Sequence, residues 1–235
     1  MIKTLKTMSK QEKERYTVPR KVQDVIPVRR IWPDGIFLTG NRFSKTYRFS
    51  DINYLVASRE DKESMFLTYS ELLNSLDSGA VTKITINNRR QNRATFESSI
   101  LMPMQGDFRD EYRKEYNQML LDKATGANGI TQEKYITISV VKKDIEEARA
   151  YFARVGADLI SHFAALGSKC AELDAAERLR ILHDFYRQGE EAEFSFDLAA
   201  MAKRGHDFKD YICPDGIEKN SDYLKLGDKF CRVLF

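Results

Sequence analysis

Residues 43–90, FSKTYRFSDINYLVASREDKESMFLTYSELLNSLDSGAVTKITINNRR, change their hydrophobic period twice. Lys45 to Phe49 reads as a strand. From Arg59 to Asp77 the spacing is helical, with Met65, Tyr69, Leu72 and Leu76 four, three and four apart on one face. Ser58 is placed to cap that helix, Glu60, Asp61 and Glu63 suit its positive end, and Gly79 follows as a stop. Thr82, Ile84 and Ile86 then alternate with Val81, Lys83 and Thr85, the pattern of a half-buried strand. Strand, helix of about five turns and returning strand predict a βαβ-like unit. The stretch holds no nucleophile, metal or phosphate-loop motif.

Upstream, Trp32-Pro33-Asp34-Gly35 signals a turn into Ile36-Phe37-Leu38, and Gly40-Asn41 turns the chain again toward Lys45–Phe49, which predicts a β-hairpin. The single tryptophan, Trp32, reads as a core or edge anchor before it reads as a binding platform. Residues 3–30 hold nine Lys and Arg against three acids. With Pro19 and Pro27 limiting any helix, residues 1–30 read as a basic arm. Such an arm is either a solvated leader or an electrostatic contact with anionic lipid or an acidic partner.

Downstream, Asn87 to Arg93 (NNRRQNR) reads as a polar, basic loop, either a solvated connection or a contact to phosphate or an acidic surface. Asp107 to Thr125 is helical, with Phe108, Tyr112, Tyr116, Met119 and Leu120 on one side, a stripe that normally marks core or a helix interface. Lys134 to Val141 is a strand, and Asp144 opens a helix to Leu166 that Gly167 ends. Cys170 to Leu173 is a short connection, and Asp174 caps another helix to Arg187. The expected class is α+β, with two successive strand-helix units and helices packed mainly on one face of the sheets. The expected division is a basic arm (1–30), an α+β core (31–188) and an irregular segment (189–235).

The 235 residues carry a net charge of +3, from 38 basic and 35 acidic side chains, which is too balanced to argue for nucleic-acid binding by itself. The longest apolar runs fall far short of the roughly 20 residues that span a bilayer. The N-terminus lacks the apolar region of a signal peptide, so a cytosolic protein is expected. Cys170, Cys213 and Cys231 are dispersed and odd in number, which predicts reduced thiols. GxxxxGK[ST] and GxGxxG are both absent, so these residues lack the cradle for nucleotide hydrolysis of that type. His183-Asp184 and His206-Asp207 spell the pair found in metal-dependent phosphohydrolases, but such a site needs further converging ligands, and only His162 remains. No Cys/His nucleophile signature is present.

Several long runs carry a family resemblance. They are VPRKVQDVIPV (18–28), IWPDGIF (31–37), FSKTYRFSDINY (43–54), EDKESMFLTYSELLNSLDSGAVTKITINNRR (60–90), EYNQMLLDKATGAN (115–128), YFARVGADLISHF (151–163), HDFYRQGEE (183–191) and HDFKDYICPD (206–215). Together they resemble the N-terminal region of the conjugal-transfer traffic ATPases of type IV secretion systems, the VirB-four-like or TrbE-like proteins, in the branch of Gram-positive conjugative elements. The resemblance implies an α/β N-terminal region ahead of a RecA-like motor, and a homo-oligomer at the cytoplasmic face of the membrane that energises channel assembly and DNA transfer. It assigns ATP, Mg and hydrolysis to a C-terminal motor outside these residues, and it carries over no catalytic, cofactor or metal residue. The expected function is a non-catalytic docking and assembly domain facing inner-membrane channel subunits and, through the arm, an anionic membrane surface. The contact candidates are Arg20, Lys21, Arg29, Arg30 and Trp32. The alternative is a nucleic-acid module using the arm and residues 87–93, and a third is a metal hydrolase around the His-Asp pairs.

Overall fold

In a computed structural model of the chain, residues 19–90, 100–126, 130–190 and 194–234 are described. A short helix α1 (Val22–Val25) precedes strands β1 (Val28–Ile31), β2 (Phe37–Thr39) and β3 (Arg42–Phe49). Helix α2 (Arg59–Asn74), strand β4 (Val81–Arg90), helix α3 (Asp110–Gly126) and strand β5 (Ile130–Val140) follow. Helix α4 (Ile145–Ala165), strand β6 (Cys170–Glu172) and helix α5 (Ala175–Tyr186) complete the central part. Helix α6 (Leu198–Arg204), a 3-10 turn (Phe208–Tyr211) and strands β7 (Ile217–Lys219), β8 (Leu224–Leu226) and β9 (Lys229–Cys231) form the rest.

The register fixes the topology. β3 and β4 each run antiparallel to β5, with Tyr47↔Ile136 and Ile84↔Ile136 as partners, so β3 and β4 are parallel with β5 between them. β6 runs antiparallel to β3 (Phe49↔Cys170), so β5 and β6 are parallel with β3 between them. The order β6-β3-β5-β4 therefore interleaves two split β-α-β units, β3-α2-β4 and β5-α4-β6, the ferredoxin-like arrangement. The expected βαβ unit exists, but its two strands are not neighbours. β2 takes the start of the β3 edge that β6 uses further along, and β1 closes that side. Cys170–Glu172, read as a connection, is thus an edge strand.

Two clusters hold the layers. On the helix face, Phe43, Tyr47, Ile136, Ile138 and Val140 of the sheet meet Ala148, Phe152, Val155, Leu159 and Phe163 of α4. Each such large side chain contributes about 1.5–3 kcal/mol on full burial. Asp144 starts α4 by accepting from the Glu147 amide, and Gly167, at φ 76°, carries the chain out of it. α2 is capped by Ser58 as its spacing predicts, but it ends at Asn74 with Ser75 as C-cap, so Gly79 is not its terminator. Leu72 is the only fully buried residue of α2, while Met65, Tyr69 and Leu76 are half-buried. Ile26, Val28 and Phe37 form the second cluster with Ala175 and Leu179 of α5 and with Phe208, Ile212 and Cys213. It lies on the opposite face, because Phe37 pairs with Ser44, which alternates with the core-facing Phe43. α2 and α4 thus share one face and α5 takes the other.

Residues 19–30 are built into this fold, since α1 docks and Ile26 and Val28 are buried. Residues 1–18 of the arm lie outside the described residues. Within 189–235, read as irregular apart from a short helix near Asp197 to Lys203, that helix is present as α6 with Asp197 as its N-cap. The segment from 194 onward also supplies Phe208, Ile212 and Cys213 to the second cluster and adds the small sheet β7-β8-β9.

Candidate functional site

The five residues nominated by the sequence run from the approach to α1 to the end of β1, and Arg30 pairs with Leu38 on the α4 face of the sheet while α1 packs against the opposite face. Arg20, Lys21, Arg29 and Arg30 are exposed, and Trp32 is half-buried. The amides of Arg20 and Lys21 donate to Asp24 at 3.2 and 3.1 Å, which turns the chain into α1. Lys209 closes the same helix from the C-terminal segment by donating to the carbonyls of Gln23 and Ile26, both at 3.1 Å. Two arginines follow the buried Val28 because the pairing with β2 shifts between Val28 and Arg30. Trp32 tilts against Phe43 at 5.7 Å between ring centroids, and the Arg30 guanidinium lies 5.2 Å from the indole centroid. The anchor reading of Trp32 therefore fits its packing. An exposed cation–π contact of this kind holds about 0.5–1 kcal/mol. Arg42, also exposed, opens β3 opposite Thr39 and lies on the α5 face, the face opposite Arg30.

The second nominated segment is not a loop over its first half. Asn87 to Arg90 extend β4 against Glu133 to Ile130, and Gln132 donates to the Asn88 side chain at 3.1 Å. Residues 91–93 lie outside the described residues.

The His-Asp pairs fall on different elements. His183 is buried on α5, its ring 5.0 Å from that of Phe194, and burial pushes its pKa below the ordinary value. His183 and Asp184 approach only to 3.8 Å. His206 precedes the 3-10 turn, 3.7 Å from Asp210. Among the described residues no group of three His, Cys, Asp or Glu side chains is placed to hold a metal ion. Burial pushes the Cys170 thiol up to about 11, with the Glu172 charge adding to it, and Cys213 is raised in the same direction by burial. At Cys213 burial and the Asp210 charge outweigh Lys209 and Arg187, so neither thiol is lowered toward the thiolate that a nucleophile needs.

Buried polar chemistry is concentrated on Arg178 of α5. Its guanidinium donates to the carbonyls of Gly35 and Ser44, both at 2.6 Å, and to the Ser44 hydroxyl at 3.1 Å, and it stacks on Phe37 at 4.0 Å. Burial pushes its pKa down to about 9. These contacts join α5 to β2 and β3, so the residue ties elements together. A charged recess between sheet and α5, lined by Arg48, Glu133, Tyr135, Glu177, Arg180 and Asp184, encloses only about 40 Å³, room for roughly one water at about 30 Å³ each.

Periodicity alone does not tell how much apolar surface stays open. Phe108 and Tyr112 of the aromatic stripe are 82% and 70% exposed, and Tyr116 and Met119 are exposed too, so the stripe is not core within this chain. Asn117 bonds both backbone groups of Met102 (2.9 and 3.0 Å), which ties α3 to the stretch just before it. Ile84 and Ile86, facing the helix layer, are 47% and 57% exposed, and Phe66 and Leu73 on α2 are exposed as well. The shallow seating of α2 explains this, for a helix that buries one residue does not cover the outer strand.

No protein-family model matches the chain, and no curated protein is significantly similar to it. Among the described residues no helix is long and apolar enough to cross a membrane.

Proposed function

We propose that this chain is a non-catalytic docking and assembly domain of the type IV secretion traffic-ATPase kind, positioning a motor against a membrane-embedded transfer channel. The observation that carries the proposal is the basic side of the sheet. Arg20, Lys21, Arg29, Arg30 and Arg42 are exposed around this edge, Arg30 on its α4 face and Arg42 on its α5 face, while Ile26, Val28 and Trp32 hold the backbone beneath them in place. The occupant that suits it is the anionic cytoplasmic face of a membrane around the channel subunits. At about 1 kcal/mol per cation near anionic lipid, the five cations together supply no more than about 5 kcal/mol, a contact no tighter than about 0.2 mM. A contact that weak serves peripheral attachment beside protein partners and gains from multiple copies.

The test is co-sedimentation of the full chain with phosphatidylserine-containing vesicles and with pure phosphatidylcholine vesicles, across a salt series. Binding to the anionic vesicles alone, weakening as salt rises, supports the reading. Equal binding to both vesicles, or to neither, contradicts it. Nucleotide turnover that stays with the chain through contaminant controls contradicts the non-catalytic part.

A further inference from the structure

Among the described residues, β4 is the outermost strand of the large sheet on the side opposite β1. It spans ten residues, Val81–Arg90, well above the common strand length of about 5–6. A long edge strand with exposed isoleucines templates further pairing unless something covers it. Natural edges are blunted by prolines, bulges, lysines or inward charges, and of these β4 carries one lysine, Lys83, on the face away from α2 and α4. β4 has no proline, and its ladder with β5 runs without a register break from Val81↔Ser139 to Arg90↔Ile130.

The order of side chains along this edge is self-complementary. With a two-fold axis at Thr85, an antiparallel second β4 places Ile84 opposite Ile86 and Ile86 opposite Ile84. The four isoleucines then form one patch on the helix face. Lys83 faces Asn87, and Thr82 faces Asn88. No like charges stand opposite each other between residues 82 and 88, the condition that electrostatics sets for cross-strand pairs. Thr82, Ile84, Ile86 and Asn88 all lie on the helix face, because their partners in β5 include the core residues Ile136 and Ile138. The polar and apolar faces of the two strands therefore match without a slip.

We propose that a second copy of this chain pairs with β4 through this register, giving an isologous dimer with one continuous sheet. The pairing covers Ile84 and Ile86, which the shallow α2 leaves open, and it closes the exposed edge. β1 lies at the far end of the sheet, so the dimer carries a basic side at each outer end. The inference goes beyond the docking reading and stands without it.

Two variants of the full chain test it. T85C places a thiol on the axis, where the two Cα atoms of an antiparallel pair lie about 4.5–5.5 Å apart, within disulfide reach. Mild oxidation links the two substituted 85 positions, identified by peptide mass spectrometry against the native thiols Cys170, Cys213 and Cys231. K83C faces Asn87 and gives no such self-link. I86K leaves the folded monomer intact, because the side chain is exposed there, and weakens the dimer about tenfold or more in sedimentation. A chain that is monomeric at every micromolar concentration overturns the proposal. So does a dimer indifferent to I86K, or self-linking by K83C as readily as by T85C. Vesicle binding has no bearing on these readouts, so failure here and failure of the docking reading are distinguishable.

Discussion

The backbone of Gly35 lies directly against the carbonyl of Leu173, so that a Cβ at Gly35 would sit 2.0 Å from that oxygen. The contact brings the β1–β2 turn onto the junction of β6 and α5. The junction is also tied by the Ala175 amide to the Pro33 carbonyl at 3.4 Å, and by Leu173 to Thr46 at 3.1 Å. Both clusters meet at this point, because Ile36 belongs to one and Phe37 to the other.

Replacing Gly35 by alanine is therefore expected to destabilise the chain by about 2–4 kcal/mol, since backbone rather than a movable side chain must yield and φ is +75°. Gly40 is the control. Its φ is +61° but nothing lies within 4 Å of its Cβ position, so Gly40→Ala costs only the left-handed strain, about 1–2 kcal/mol. Urea unfolding of both variants makes the comparison, and equal losses would remove the close-contact account.

Arg178 supports the same junction from below. Arg178→Met keeps the stem but leaves the Gly35 and Ser44 carbonyls without their donor, and a loss of about 2–4 kcal/mol follows. Arg178→Lys offers a charge without the planar fork and recovers only part of it. Full recovery by lysine contradicts the assigned geometry.

The buried His183 gives the stability a pH dependence with a definite sign. Its folded-state pKa lies below the ordinary 6.5 because burial disfavours the imidazolium. Between the two values the unfolded chain binds the extra proton, so stability rises with pH there. The contribution is complete above about 6.5 and is lost as pH falls through the lower folded value. His183→Gln flattens this part of the curve, seen as a smaller difference in urea midpoint between neutral and mildly acidic buffer than wild type shows. An unchanged difference contradicts the assignment to His183.

Local signals were legible wherever one residue decides a local geometry. Ser58, Asp144 and Asp174 cap the helices that their positions predict, and Gly40 turns the hairpin. Alternation located β4 and β5, though β5 extends to Ile130 and β4 through Arg90 because the two strands sustain each other's ladder beyond the apolar stretch. The insertion of β5 between β3 and β4 depends on long-range pairing, which no local period encodes. β1 and β6 were missed because each is only three or four residues and gains its strand form from β2 and β3. At the site, Trp32 and its neighbouring cations were legible from the Trp-Pro-Asp-Gly turn and the local charge. Of the two readings of the stripe of Phe108, Tyr112 and Tyr116, core or helix interface, core does not hold within this chain, since helical spacing records which side chains share a face and not whether anything covers it.

The docking account is tested most directly by reversing charge on the basic side. The double variant Arg29→Glu, Arg30→Glu exchanges two exposed cations for anions while leaving Val28 and Trp32 in place. Its binding to phosphatidylserine-containing vesicles is measured at low salt beside wild type. The account predicts loss of binding by about a hundredfold or more, from about 1 kcal/mol for each cation removed and a comparable repulsion for each anion gained, with the fold intact by circular dichroism. Binding equal to wild type in a folded double variant would contradict it.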